Sequence, residues 1–156
     1  MKIENSILIA ASPENVYTFF EEIEGNYLNW HPEHRMFKWK KGNNLKEGNV
    51  FYFEEEIGGE LLKKEAIFTK VIPNEYIEFK MTNRLLRFLL PKMTFIFESN
   101  DSGCLFTQQV FIRIGPIGRW LNKSKFAAVY KHQHEECENL KIHIENIFRT
   151  TMKPNK

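Results

Sequence analysis

A chain of 156 residues fits one domain, and 42% apolar content with 14 Phe is enough for a hydrophobic core. Its 22 basic and 20 acidic side chains leave a net charge of +2, so overall charge gives no case for nucleic acid or for an acidic membrane. No segment approaches the roughly 18 uninterrupted apolar residues of a membrane span, and Glu4 and Asn5 interrupt the start before any signal-peptide run. With Cys104 and Cys137 read as reduced thiols, the expectation is a soluble cytoplasmic protein with no stable membrane association and no nucleic-acid partner. Oligomeric state is left open.

Residues 2–10 alternate weakly and end in Ile7-Leu8-Ile9, which predicts a first strand. Ser12 is a natural helix N-cap, Pro13 suits the first helical position, and Glu14 suits the positive helix end. Val16, Phe19, Phe20 and Ile23 mark that helix's buried stripe, and Gly25 is expected to stop it. Residues 27–34 form a short turn or helix rich in aromatic and imidazole groups. Six strands follow: 36–40, 50–57, 61–72, 76–81, 92–98 and 104–114, separated by turn signals such as Gly58-Gly59 and Asn100-Asp101-Ser102-Gly103. Between the fourth and fifth of these, residues 84–90 are read as a connection that closes over a cavity in preference to a membrane contact. Gly115-Pro116 ends the strands. From about Trp120 to Met152 nothing breaks a helix, and Phe126, Val129, Tyr130, Cys137, Leu140, Ile144, Ile147 and Phe148 share one face. One domain is expected over 1–152, with a loose tail at 153–156.

This order, with the opening Ala11-Ser12-Pro13-Glu14-Asn15-Val16-Tyr17, resembles the START-like superfamily (Bet v 1-like, SRPBCC) along nearly the whole chain. The resemblance implies an α+β helix-grip fold. A curved antiparallel sheet of six to seven strands wraps the long C-terminal helix, with short helices after the first strand. The space between sheet and helix would hold a small hydrophobic or aromatic molecule. Two stretches, Tyr27-Leu28-Asn29-Trp30-His31-Pro32-Glu33-His34 and His132-Gln133-His134-Glu135-Glu136-Cys137-Glu138-Asn139-Leu140-Lys141, are similar to the metal-site segments of the diacetylphloroglucinol hydrolase group. Members of that group hold zinc with two His and two Glu and cleave a carbon–carbon bond between an acyl group and an aromatic ring. The HxxxE pattern on the last helix is the clearest match.

His132 and Glu136 are four apart, so on a helix they lie one turn apart on one face and can share a metal. His134 and Glu138 are also four apart on the other flank, and periodicity does not separate the pairs. The resemblance favours His132 and Glu136; the alternative is a solvated acidic patch of Glu135, Glu136 and Glu138. Glu55 shares the phase of Phe51, Phe53 and Ile57, so a strand that turns those residues inward turns Glu55 inward. A buried carboxylate needs a partner charge or a metal. His31 and His34 flank Pro32-Glu33. His34 is preferred as a ligand and His31 as a cavity-wall residue, with His31 and Glu33 as candidate acid/base groups. The set His34, Glu55, His132 and Glu136 suits zinc, with iron or manganese as alternatives. By phase, Phe51, Phe53, Phe95, Phe97 and Leu140, with Trp30, are expected to line or border the ligand pocket.

Three readings follow. The first is a metal-dependent hydrolase acting on a hydrophobic ketone or phenolic compound. The second is a metal-free carrier or sensor of a hydrophobic ligand. The third is a polyketide cyclase-like domain.

Overall fold

The computed structural model describes residues 1–151, and the expected tail at 153–156 lies outside them. Helix α1 (Pro13–Glu21) begins where its residues dictate: Ser12 Oγ accepts the Asn15 N–H at 3.3 Å, and Pro13, with no N–H to satisfy, takes the first turn. It ends earlier than expected. The chain leaves helical geometry at Glu22, and α2 (Ile23–Trp30) runs through Gly25. Asn26 Nδ2–H binds the Phe19 carbonyl at 2.9 Å, satisfying one of the carbonyls that α1 leaves open at its end. The 27–34 segment splits in two: Tyr27 to Trp30 close α2, and His34 opens β2 (His34–Lys41).

The other strands are β1 (Lys2–Ile9), β3 (Val50–Ile57), β4 (Glu60–Ile72), β5 (Tyr76–Met81), β6 (Lys92–Asn100) and β7 (Gly103–Phe111). They form one curved, wholly antiparallel seven-stranded sheet in the order β1-β7-β6-β5-β4-β3-β2. Strands β2 to β7 form a meander, with a longer link of residues 82–91 between β5 and β6, and β1 pairs with β7, from Lys2 opposite Phe111 to Ile9 opposite Cys104. The β6–β7 hairpin turns at Gly103, whose φ of 142° suits glycine, and an added Cβ there would lie 2.0 Å from the Ile9 carbonyl oxygen.

Residues 84–89 form a short helix, α3, capped by Asn83 Oδ1, which accepts the Leu85 and Leu86 N–H groups at 3.0 and 3.1 Å. Leu86 packs on the core and the other α3 side chains point outward. None of them lines the interior cavity, so α3 is not the closure expected of it. The expected single last helix is two: α4 (Pro116–Leu121) and α5 (Lys123–Thr151). Asn122 separates them with φ −107° and ψ 20°, and its backbone N–H and side-chain amide both donate to the Gly118 carbonyl, at 3.1 and 2.8 Å. Among the described residues no helix is long and apolar enough to cross a membrane.

Helix α5 packs across β1, β3 and β7. Its buried stripe is His132, Glu136, Leu140 and Ile144, with Gln133 and Cys137 beside it. Tyr130 and Ile147, expected on that face, are exposed. The core between helix and sheet is aromatic: Phe20 stacks on Phe106, Phe51 on Phe68, and Trp30 meets Phe19 and Phe20 edge-on. Each fully buried Phe contributes about 1.5–3 kcal/mol through area removed from water.

Candidate metal centre

Three pieces of backbone deliver one cluster. The α2–β2 turn is tied by His34 N–H to the His31 carbonyl at 3.1 Å and by Glu56 N–H to the Glu33 carbonyl at 2.9 Å. It seats His34 directly opposite Glu55 in the β2–β3 register, so both side chains leave the same face. Helix α5 lays His132 and Glu136 over them from the other side. Ligating atoms of His34, Glu55, His132 and Glu136 all lie within 4.8 Å of one another, and all four residues are buried. His134 and Glu138, the competing pair on α5, both face solvent.

Each of the four is held by its far side. His34 Nδ1–H donates to the Tyr27 carbonyl at 2.8 Å, and the ring stacks on Tyr27 at 4.0 Å. That tautomer leaves Nε2 bare, and it faces Glu136 Oε1 at 2.9 Å. His132 Nδ1–H donates to Glu33 Oε2 at 2.9 Å. Its Nε2 has no hydrogen-bond partner among the described residues, with Glu55 Oε2 at 3.6 Å and Glu136 Oε1 at 3.7 Å. Glu136 Oε2 accepts from Gln108 Nε2 at 2.7 Å, and Glu55 Oε1 is paired with Lys64. What remains pointing inward is two imidazole nitrogens and two carboxylate oxygens.

These inward atoms accept hydrogen bonds and have no donors among them, so a cation or a proton must lie between them. Tetrahedral ligands about 2.1 Å from one zinc ion would stand about 3.4 Å apart. Three of the six separations, 2.9, 3.6 and 3.7 Å, bracket that value, and all lie within 4.8 Å. Two imidazoles and two carboxylates, each oriented through its second atom, fit zinc, and iron or manganese also accept this set.

Charge in the cluster is set by position. Burial opposes ionisation of Glu55, but the Lys64 ammonium and then His132 outweigh it and hold the carboxyl below the usual carboxylate range. Burial also opposes a proton on His132. The carboxylates of Glu55, Glu136 and Glu33 prevail and push its pKa up to about 9. His31 is lowered, first by burial and then by the charge of His132, whose ring lies 4.2 Å away. Burial raises the Cys137 thiol to about 12, which leaves it protonated and inert at neutral pH.

The two residues read as acid/base groups fall in different places. His31 is buried, accepts the Glu33 N–H at its Nδ1 (3.1 Å) and points Nε2–H at Glu135, 3.3 Å away, so both its nitrogens are engaged. Glu33 aims its carboxylate at His132 and holds that ring in place. Tyr27, Lys64 and Gln108 were not singled out by sequence reasoning. Lys64 and Gln108 had the same signal as Glu55: each shares the inward phase of apolar neighbours, Ala66 and Phe68 for one, Phe106 and Val110 for the other. Tyr27 acts on His34 through its carbonyl, which no side-chain pattern reports.

The cluster opens into an apolar cavity of about 70 Å³, with Glu136 and Gln108 as its polar wall. Trp30, Phe51, Phe53 and Phe95 line it, as phase predicts, with Phe37 and Phe79. Phe97 and Leu140 do not. Phe97 packs on Tyr17, Phe20 and Phe106 beneath α1, and Leu140 lies one turn beyond Glu136 in the solid core.

No family model and no curated protein matches the sequence. Solved structures do match in shape. The aromatase/cyclase ZhuI from a Streptomyces species is 11% identical, with a TM-score of 0.77 over 99% of both chains. A protein from Thermus thermophilus is 13% identical, with a TM-score of 0.75 over 94% of this chain and 99% of that one. Ara h 8.0201 is 12% identical, with a TM-score of 0.69 over 94% and 98%. The likeness is one of fold: an antiparallel sheet gripping a long C-terminal helix, the helix-grip fold.

Proposed function

We propose that this chain is a small-molecule-binding helix-grip protein whose His34–Glu55–His132–Glu136 centre holds one zinc ion, with iron or manganese as alternatives, and hydrolyses a hydrophobic ketone or phenolic compound. One observation carries the reading: four buried ligating groups converge with every outward atom already satisfied, and His132 Nε2 has no hydrogen-bond partner among the described residues. Without a divalent ion the set relies on Lys64 and a proton on His132 to compensate its buried carboxylates, and a bound ion would take that proton's place. A bound divalent ion would supply Lewis acidity, polarising a carbonyl or activating water.

The chain's own residues then have distinct tasks. Tyr27, Glu33, Lys64 and Gln108 hold the four ligands in orientation. The aromatic wall of Trp30, Phe51, Phe53 and Phe95 takes up an aromatic or acyl portion and excludes water. Gln108 and Glu136 face the same cavity, so the polar end of a bound molecule meets the centre. Glu33, whose carboxylate bonds the His132 ring and whose side chain is 40% exposed, offers a route for a proton between the buried cluster and solvent. Cleavage of a carbon–carbon bond between an acyl group and a ring is the reaction that the resemblance of residues 27–34 and 132–141 suggests. Protonated, buried thiols agree with a cytoplasmic setting.

The second reading, a metal-free carrier or a polyketide cyclase-like domain, is favoured by the likeness in shape to an aromatase/cyclase. Elemental analysis of protein purified without chelator or affinity tag separates the two. About one equivalent of a transition metal, lost in His132→Ala and Glu136→Gln, is expected. Less than about a tenth of an equivalent would leave only the metal-free reading.

A further inference from the structure

We propose that α3 and α4 together form a docking surface for an anionic lipid bilayer. The observation is charge segregation combined with exposed apolar side chains. Residues 79–97 and 102–134 contain nine Lys or Arg and no Asp or Glu, whereas the rest of the chain has 13 basic and 20 acidic residues. Lys80, Lys92, Lys125 and Lys131 pair with Glu78, Glu60 and Glu135 outside these segments, which leaves Arg84, Arg87, Arg113, Arg119 and Lys123.

The fold brings the two basic segments together. Arg113 N–H donates to the Leu89 carbonyl at 2.7 Å, and the Arg113 guanidinium lies 4.7 Å over the Phe88 ring. This fixes the end of α3 against the strand end that leads into α4. On α3, Leu85, Phe88 and Leu89 are exposed; on α4, Ile117, Trp120 and Leu121 are, with Trp120 at 73%. Arg84, Arg87, Arg113, Arg119 and Lys123 surround them and have no acidic partner among the described residues. An open groove beside Trp120 continues the surface over Ile3, Ile114 and Phe126, with Lys2 and Glu4 also on its wall.

Each half of this composition excludes other occupants. Six large apolar side chains have nothing to bury against on a phosphate backbone, which argues against nucleic acid. A ring of unpaired cations would repel the same ring on a second copy. A bilayer with anionic headgroups takes both: aromatic and aliphatic groups enter the headgroup–acyl boundary while Arg and Lys meet the lipid charges. Association is reversible, since a few side chains per short helix bury far less area than a membrane span.

Sedimentation of the full chain with vesicles of phosphatidylcholine alone, and of three-to-one phosphatidylcholine–phosphatidylglycerol, tests this. Binding is expected to the anionic vesicles only, with loss at about 0.5 M salt, where the screening length falls below about 5 Å. Phe88→Ser with Trp120→Ser should abolish it. Arg87→Glu and Arg119→Glu should each weaken it by at least about fivefold, the effect expected for one surface charge removed. Trp120 emission should shift to the blue on vesicle addition in the wild type, and the shift should be missing in Trp120→Phe, which still binds. These side chains are exposed, so the variants should keep the wild-type circular dichroism and thermal midpoint. No binding at low salt, or binding unchanged in the charge-reversed variants, would overturn the proposal. So would concentration-dependent dimerisation that the Phe88/Trp120 double variant removes, which would reassign the patch to a second copy of the chain.

Discussion

Lys64 shows how an unremarked side chain can decide a site. It is paired with buried Glu55 and lies 5.5 Å from the Phe53 ring centroid. Lys64→Met should destabilise the metal-free protein by about 3 kcal/mol, because a buried carboxylate loses its counter-charge. Saturating zinc should restore most of that loss, which chemical denaturation with and without metal would measure. Glu33→Gln should keep the fold but weaken metal binding about 10- to 100-fold, as for other groups that orient a ligating histidine. A chelator competition assay reads this directly. The pH dependence follows from the two shifted groups. His132 is raised to about 9 from an ordinary value near 6.5, so its contribution is full below about 6.5 and is lost as pH rises through about 9. Glu55 is depressed, so its contribution is present above the normal carboxylate range and lost in acid. The metal-free protein should therefore be most stable between these limits and weaken toward alkaline pH. Bound zinc, which displaces the His132 proton, should flatten the alkaline decline, and metal affinity should rise with pH over the same interval.

Among the elements, the sheet is closed by contacts that single residues control. Gly103 sits where β7 meets the end of β1, and a methyl group there collides with the Ile9 carbonyl. Gly103→Ala should cost about 2–4 kcal/mol and lower the thermal midpoint, since neither the positive φ nor the contact is relieved by a side-chain rotation. The α2–β2 turn matters in another way. It converts His31 and His34, three apart, into one residue bonded to Glu135 and one aimed at the cluster. Residue types in 27–34 identified the segment, but Pro32 made the direction of each ring unreadable, because that depends on where β2 pairs.

For the molecule as a whole, the interior is filled with rings, and its cavity of about 70 Å³ is below the few hundred Å³ of typical ligand pockets. A ligand with an aromatic ring needs the wall to part. Phe51→Ala should cost about 3–5 kcal/mol as a core truncation and at the same time enlarge the space. Denaturant unfolding would give the first effect, and increased uptake of an apolar fluorescent probe the second. Net charge also misleads at this scale. A total of +2 argued against acidic surfaces, yet nine cations without an acid lie in the two segments that carry α3 and α4. Sums over a chain say nothing about which residues the fold makes neighbours.

By itself the sequence determined the periodic features. Alternation set the strands and turned Phe51, Phe53 and Glu55 to one side. Spacing of four placed His132 and Glu136 on one helix face, and Ser12-Pro13 started α1. These depend on neighbours within a few residues, and local sterics and hydrogen bonding are enough to fix them. Tertiary structure decided the rest: that β2 pairs with His34 opposite Glu55, that His132 rather than His134 faces inward, that Lys64 and Gln108 hold the ligands, and that Phe97 packs away from the cavity. Gly25 does not stop a helix, because α1 has already ended at Glu22 and Gly25 lies inside α2. A residue's local preference is weak beside the contacts made by chain segments a hundred residues away, and those contacts exist only once the sheet has closed around α5.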